Sequence, residues 1–271
     1  MGYEFFIGKR YLLSPRSDRS VSMITWISIG GVALGVIALI VSTSVMNGFR
    51  SNLRDAVTGS LPHITLFSWD EEIEAYNMLQ QKVLKHPEVV AASPYIYKQA
   101  LLTGKKKPKG ALLRGIDPIK EPSVTRISSY LRESIYALGP QDEKEQQRLS
   151  QSILKRLSHL RARAEKIPDG IIIGASLAQQ LNVSMGDTVK LISSEQRMTP
   201  IGDVPRIKKL EVVGIFESGI SGYDEVLAFA DYRLVQKIYR MGKKVSGLGV
   251  SIRDPENASQ MASELQEFDS R

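Results

Sequence analysis

From Val21 to Gly48 no side chain carries a charge, and the centre of that run reads MITWISIGGVALGVIALIVSTSVM. Roughly 20 apolar residues suffice for a helix to cross hydrocarbon, so the pattern predicts a membrane-spanning helix over 21–48. Gly30, Gly31 and Gly35 are tolerated in such a helix, and Gly31 to Gly35 has the small-xxx-small spacing that permits close helix approach. Ahead of it, Tyr3, Phe5, Phe6, Ile7, Tyr11, Leu12 and Leu13 mix with Lys9 and Arg10, a pattern for a short interfacial segment over residues 1–20. Beyond it, Phe49 to Leu61 predicts a helical stalk ended by Gly59 and Pro62, within a region 49–62.

The pattern then changes period. Over 63–140 the order is strand, helix, strand, strand: His63 to Phe67, a helix from the capping-box pattern Ser68-Trp69-Asp70-Glu71 to Lys85, then Val89 to Thr103 and Gly110 to Gly115. This order predicts a small α+β sandwich. Within 141–169, Leu149, Ile153, Leu157, Leu160 and Ala164 recur at helical spacing, which predicts one amphipathic helix from Asp142 to Lys166 laid on its own domain, with partner binding as the alternative. Over 170–247 the elements are β-rich: strands Ile171 to Gly174, Thr188 to Ile192, Leu210 to Phe216 and Val226 to Ala230, with helices Ala175 to Leu181 and Tyr232 to Met241. A terminal strand and helix fill 248–271. The fold class is therefore α+β, an N-terminal transmembrane helix followed by a two-part domain.

One connection does not fit a simple hairpin. Hairpin loops usually take about 2–5 residues, yet SSEQRMTPIGDVPRIKK occupies 193–209 and carries Met198, Pro200, Ile201, Val204 and Pro205. Two readings stay open on the residues alone: a self-packed Ω-loop, or an apolar tip offered to a partner.

Charge adds orientation. Lys9, Arg10, Arg16 and Arg19 precede the span, and the positive-inside rule then puts the N-terminus in the cytoplasm and the rest outside it. A cleaved signal peptide is the rival, but its apolar region would run only about 7–15 residues. The formal charge of +7 is spread along the chain, which favours a membrane surface over a nucleic-acid groove. Without cysteine there is no disulfide and no thiolate chemistry. No P-loop or Gly-x-Ser-x-Gly motif occurs, and His63, His86 and His159 lack paired metal-ligand spacing and read as scattered surface histidines. No catalytic or metal-binding residue is expected, and no anchored-enzyme cleft stands out.

The ordered series FIGKRYL, SVMNGF, IIIGASLAQQLNVSMGDTV, TPIGDVP and LEVVGIFESGISGYDE resembles LolC and LolE, permease subunits of the lipoprotein-releasing ABC transporter of the Gram-negative inner membrane. The resemblance covers nearly the whole chain except the charged Asp142 to Lys166 helix, which looks like an insertion. It implies a MacB-like periplasmic domain, with a porter-like α+β part and a β-rich part, and three further transmembrane helices beyond Arg271. The implied partners are a LolD-like ATPase dimer that carries the ATP and Mg, a second LolC/LolE-like permease, a LolA-like periplasmic carrier, the lipoprotein and membrane lipid, with no cofactor in this chain and no nucleic acid. Val45, Met46 and Phe49 would line the lipoprotein cavity, and the stretch Arg197, Met198, Thr199, Pro200, Ile201, Gly202, Val204, Pro205 and Arg206 would be the protruding carrier-binding hairpin, the hook. The alternative is a MacB- or FtsX-like mechanotransmission protein acting on another periplasmic partner.

Overall fold

The computed structural model describes residues 3, 6, 7, 10, 19–68, 72–134, 142–199 and 202–269. Two compact units divide the chain, Met1–Asp55 and Ala56–Arg271.

The first unit is dominated by the continuous helix α1 (Arg19–Ser60), which runs a few residues past Asp55 and covers the expected span and most of the expected stalk. Its stretch Trp26–Gly48 is long and apolar enough to cross a membrane, and its side chains are exposed. A helix meets this demand because it satisfies its backbone polar groups internally; the Thr43 hydroxyl does likewise by donating to the Leu39 carbonyl at 2.8 Å. Tyr3, Phe6, Ile7 and Arg10 are helical and exposed, and the other positions named for the interfacial segment lie outside the described residues.

Among the described residues, the second unit is built on one sheet of nine strands. Its strands are β1 (Ile64–Phe67), β2 (Val89–Thr103), β3 (Lys109–Ile116), β4 (Leu131–Arg132), β5 (Gly170–Gly174), β6 (Thr188–Thr199), β7 (Gly202–Phe216), β8 (Leu227–Asp231) and β9 (Gly247–Ile252). The hydrogen-bonded order is β1-β9-β2-β3-β8-β5-β7-β4. Because β6 pairs with both β2 and β7, the path β2-β3-β8-β5-β7-β6 closes on itself as a small barrel instead of lying open as half of a sandwich.

Strand alternation gives that barrel two distinct faces. Ala100, Leu102, Ala111, Leu113, Ile171, Ile173, Val189, Leu191, Leu210, Val212, Ala228 and Ala230 make one core, joined by Leu177 and Leu181 of α6 (Ala175–Leu181) and Leu234 and Val235 of α8 (Tyr232–Ile238). The alternate residues Ile172, Val213, Leu227 and Phe229 make a second core on the outer face, under Ile153, Leu154 and Leu157 of α4 (Glu143–Leu157), with Ile127 of α3 (Ile127–Tyr130) in it and Tyr223 of α7 (Ser221–Asp224) packed against it. Gly214 lets that helix approach, since a Cβ there would stand 2.6 Å from Ile153 Cγ2.

Three expectations are corrected. The helix expected from Ser68 to Lys85 is α2 (Tyr76–Val83), and its N-cap Ala75 makes no side-chain cap bond. Ile73 instead exchanges backbone bonds with Val245, which holds the chain extended just ahead of the helix; Trp69, Asp70 and Glu71 lie outside the described residues. The helix expected over Asp142 to Lys166 breaks at Ser158, whose ψ is 118°, into α4 and α5 (His159–Glu165). The break changes the helical phase, so Leu160 is 55% exposed and Ala164 faces solvent while His159 and Ala162 turn inward. His159 is therefore not a surface histidine.

Asp231, completely buried, explains the break. One carboxylate oxygen accepts from the Arg233 N–H at 2.9 Å and caps α8, and the other accepts from the His159 N–H at 2.9 Å and caps α5. Burial pushes its carboxyl above the ordinary range, and the two backbone bonds pull the other way. A raised value means that stability relative to the unfolded chain is fullest below the ordinary carboxylate range and declines as pH rises through the folded value. Both oxygens serve as acceptors, so an amide must turn its NH2 toward one donor. Asp231→Ala should cost about 2–4 kcal/mol, roughly 1–2 for each lost cap, and Asp231→Asn about half as much, read from denaturation midpoints.

Candidate functional site

The connection expected to be a loop over 193–209 is mostly strand. β6 and β7 pair from Thr188↔Glu211 out to Thr199↔Gly202, so only Pro200 and Ile201 separate them, and those two lie outside the described residues. Their prolines hid this from the sequence, because Pro lacks an N–H and argues against a central strand. It is tolerated here because β6 pairs with β2 only as far as Ser193, and β7 pairs with β5 only from Glu211 onward. Beyond those points the two strands have no sheet neighbour among the described residues and leave the barrel rim as a two-stranded ribbon. At about 3.3 Å per residue, the 194–199 limb reaches roughly 20 Å.

A register shift marks where the ribbon leaves the barrel. Ile192 pairs with Ile207 and Gln196 with Pro205, so three residues of β6 stand against one of β7. The Ser193 hydroxyl donates to the Glu195 carbonyl at 2.9 Å within this bulge. Bulges of this kind bend a strand and raise its twist.

Of the residues assigned to the hook, Arg197, Met198 and Thr199 take β6 backbone positions and Gly202 and Val204 take β7 positions. Pro205 is exposed. Arg206 is half-buried and its Nη1 donates to the Ile238 carbonyl at 3.3 Å, so its guanidinium is tied to the body. Val45 and Met46 are exposed on α1, with Phe49 at the next helical turn, in the Met1–Asp55 unit.

The ribbon root carries a distinct surface. Leu101, Ile192 and Ile207 stand opposite one another across β2, β6 and β7, and Leu101 and Ile207 are 46% and 60% exposed. The next row is Thr103, Lys190 and Lys209, which sets two exposed lysines directly opposite each other. Directly opposed like charges destabilise a sheet. Leu101, Leu112, Ile192 and Val226 also line a hollow of about 590 Å³. A larger hollow of about 1300 Å³ lies between edge strand β1 and α2, lined by Ile64, Leu66, Met78 and Leu79 among others.

Behind the root lies an ionic cluster that sequence reasoning missed. Asp169 sits between His159 Nδ1 at 2.5 Å and Lys208 Nζ at 2.9 Å, and its side chain is 7% exposed. Burial pushes its carboxyl up, but the hydrogen bonds and charges of Lys208 and His159 together outweigh that and hold it below the ordinary range. A lowered value means the contribution is present above the ordinary carboxylate range and is lost as pH falls through the folded value. Among the described residues no group of three or more His, Asp or Glu is placed to hold a metal.

With this geometry in view, the family profile of the MacB-like periplasmic core domain matches residues 25–268. The chain is 32% identical over 264 residues to the lipoprotein-releasing system transmembrane protein LolC of Neisseria meningitidis serogroup B, covering 97% of this chain and 57% of that protein. It is 26% identical over 200 residues to the corresponding LolE of Haemophilus influenzae, covering 72% of this chain and 42% of that one. The chain thus spans about half the length of the curated relatives it matches. The crystal structure of the periplasmic region of MacB from Actinobacillus actinomycetemcomitans aligns with a TM-score of 0.41 at 15% identity over 71% of each chain.

Proposed function

Because this chain belongs to the family of MacB-like periplasmic core domains, we propose that it is part of a permease subunit of a lipoprotein-releasing ABC transporter. The observation that carries the reading is the ribbon of β6 and β7, a hairpin that projects from a barrel rim in a chain that also holds an apolar span. Such a hairpin suits capture of a second protein, since it offers its tip at a distance from the domain that fixes it.

In this reading α1 anchors the chain in the bacterial inner membrane with the N-terminus cytoplasmic and the large domain periplasmic. A separate LolD-like ATPase dimer hydrolyses ATP, and a second LolC/LolE-like permease completes the channel. The lipoprotein enters beside Val45, Met46 and Phe49 near the end of the apolar stretch and leaves on a LolA-like carrier held by residues 197–206 of the ribbon. Exposing acyl chains to water costs ~0.8 kcal/mol per CH2, so transfer requires a sheltered path from membrane to carrier. The carrier contact therefore has to be both apolar and brief. The exposed Leu101 and Ile207 row and the opposed Lys190 and Lys209 match a carrier with an apolar mouth and an acidic rim.

Purification of the full-length protein from membranes, with mild detergent and without excess carrier, tests the reading. Diacylated or triacylated lipoprotein should copurify with it, together with an ATPase subunit. Recovery of an adaptor or a cell-wall hydrolase with no lipoprotein would favour the mechanotransmission alternative.

A further inference from the structure

The ribbon has a free length and a bulge at its base, and two-stranded hairpins are at best marginally stable alone. Something other than sheet pairing must set its direction. Two side chains of β7 reach from the ribbon base to the body. Arg206 Nη1 donates to the Ile238 carbonyl at the end of α8, and Lys208 Nζ pairs with Asp169 in the segment before β5. The second contact is a built one. Asp169 is nearly buried, and its other oxygen is held by His159 at the start of α5, whose backbone N–H is fixed in turn by Asp231. Lys208, 43% exposed, thus ends a chain of contacts that runs from the interior to the ribbon base.

We propose that Asp169 and Lys208, with Arg206 beside them, are positioning residues that fix the angle at which the hairpin leaves the barrel. This rests on the hairpin being the capture element proposed above, but the property itself belongs to the chain alone. The tie lies on the β5 side of β7, where backbone pairing stops at Glu211, and so replaces the missing neighbour strand with side chains. The bulge on β6 lies across the ribbon from it and supplies the bend that the tie restrains. Arg206 accordingly serves the body, where its guanidinium holds the Ile238 carbonyl.

The chain has no cysteine, which makes paired spin labelling direct. Labels at Thr199→Cys in the ribbon and Gln179→Cys on α6 in the full-length protein, measured by pulsed electron resonance, report the ribbon angle without any carrier. Lys208→Met and Lys208→Gln should broaden the distance distribution and move its mean, and Lys208→Arg should restore the unsubstituted distribution. Circular dichroism and the denaturation midpoint confirm that each variant is folded, and the milder Lys208→Gln supplies the reading if Lys208→Met is not. A distribution unchanged in a folded Lys208→Met or Lys208→Gln variant overturns the proposal. Failure of the unsubstituted protein to bind a LolA-like carrier would instead strike the functional reading and leave the distances to be judged on their own.

Discussion

Replacing Met198, Pro200 and Ile201 together by aspartate should abolish capture of a LolA-like carrier while leaving the denaturation midpoint of the domain where it was. The size of the first effect follows from how interfaces distribute their energy. A few central side chains carry about 2 kcal/mol or more each, and losses at three such positions exceed a 100-fold weakening even when they are not additive. The second effect follows from the ribbon. Residues 196–199 pair across the hairpin and have no further strand beside them among the described residues, so substitutions at the tip are expected to leave both barrel cores intact. Substitutions clear of packed features usually change stability by within about 0.5 kcal/mol. Capture is measured by crosslinking and stability by chemical denaturation on the same preparation. A loss of both together would mean that Met198 and Ile201 pack inward as part of the fold.

The largest stability effect is expected at Arg114 on β3. Its guanidinium meets the Glu121 carboxylate at 2.8 Å with the two side chains 3% and 1% exposed, and Thr125 adds a hydroxyl to the same carboxylate oxygen. Arg114 also lies over the Tyr97 ring, 5.7 Å from its centroid. Removing one member of a buried pair leaves the other charge desolvated, at a cost of about 3–5 kcal/mol, whereas replacing both with apolar residues is often neutral. Arg114→Leu should therefore be strongly destabilising, and Arg114→Leu with Glu121→Leu should recover most of the loss. Denaturant midpoints of the two singles and the double give the coupling directly. If the double variant is as unstable as the sum of the singles, the pair is not acting as a unit.

Much of this architecture was legible in the order of residues. Strands β2, β3, β5, β8 and β9 were found within a residue or two because their apolar runs are bounded by Gly, Pro or charged turns. The apolar span was the clearest element of all, since no charge interrupts it between Val21 and Gly48. Barrel closure was not legible. It depends on β6 meeting β2 across a separation of about ninety residues, a pairing that local periodicity does not encode. The outer halves of β6 and β7 were missed for a different reason. Pro205 and the polar Ser193-Ser194-Glu195 carry loop chemistry: the lack of a flanking strand among the described residues lets Pro205 pair with Gln196, and the three polar residues form the bulge.

The hidden ionic cluster follows the same logic. Asp169 and His159 are ten positions apart, but Lys208 comes from a strand nearly forty residues further on and Asp231 from another beyond it. Each looks ordinary in its own segment. What could have pointed to His159 is the helical stripe itself, because Leu160 and Ala164 continue the spacing only if the helix does not break, and Ser158 is a natural place for a break. The residues expected to do the work at the tip and the residues that hold the tip in place were thus visible to different degrees. Tip residues announced themselves by being apolar where a turn should be polar, and the anchoring residues by nothing at all.

In the proposed function the ribbon tip grasps a periplasmic lipoprotein carrier. A photoreactive amino acid placed at Met198 of the full-length protein in membranes, with Gln179 as the control position, tests it most directly. Position 198 should give a covalent adduct with a LolA-like carrier, and position 179 none. Adducts from position 198 confined to the protein itself, or formed with an adaptor or cell-wall hydrolase, would contradict it.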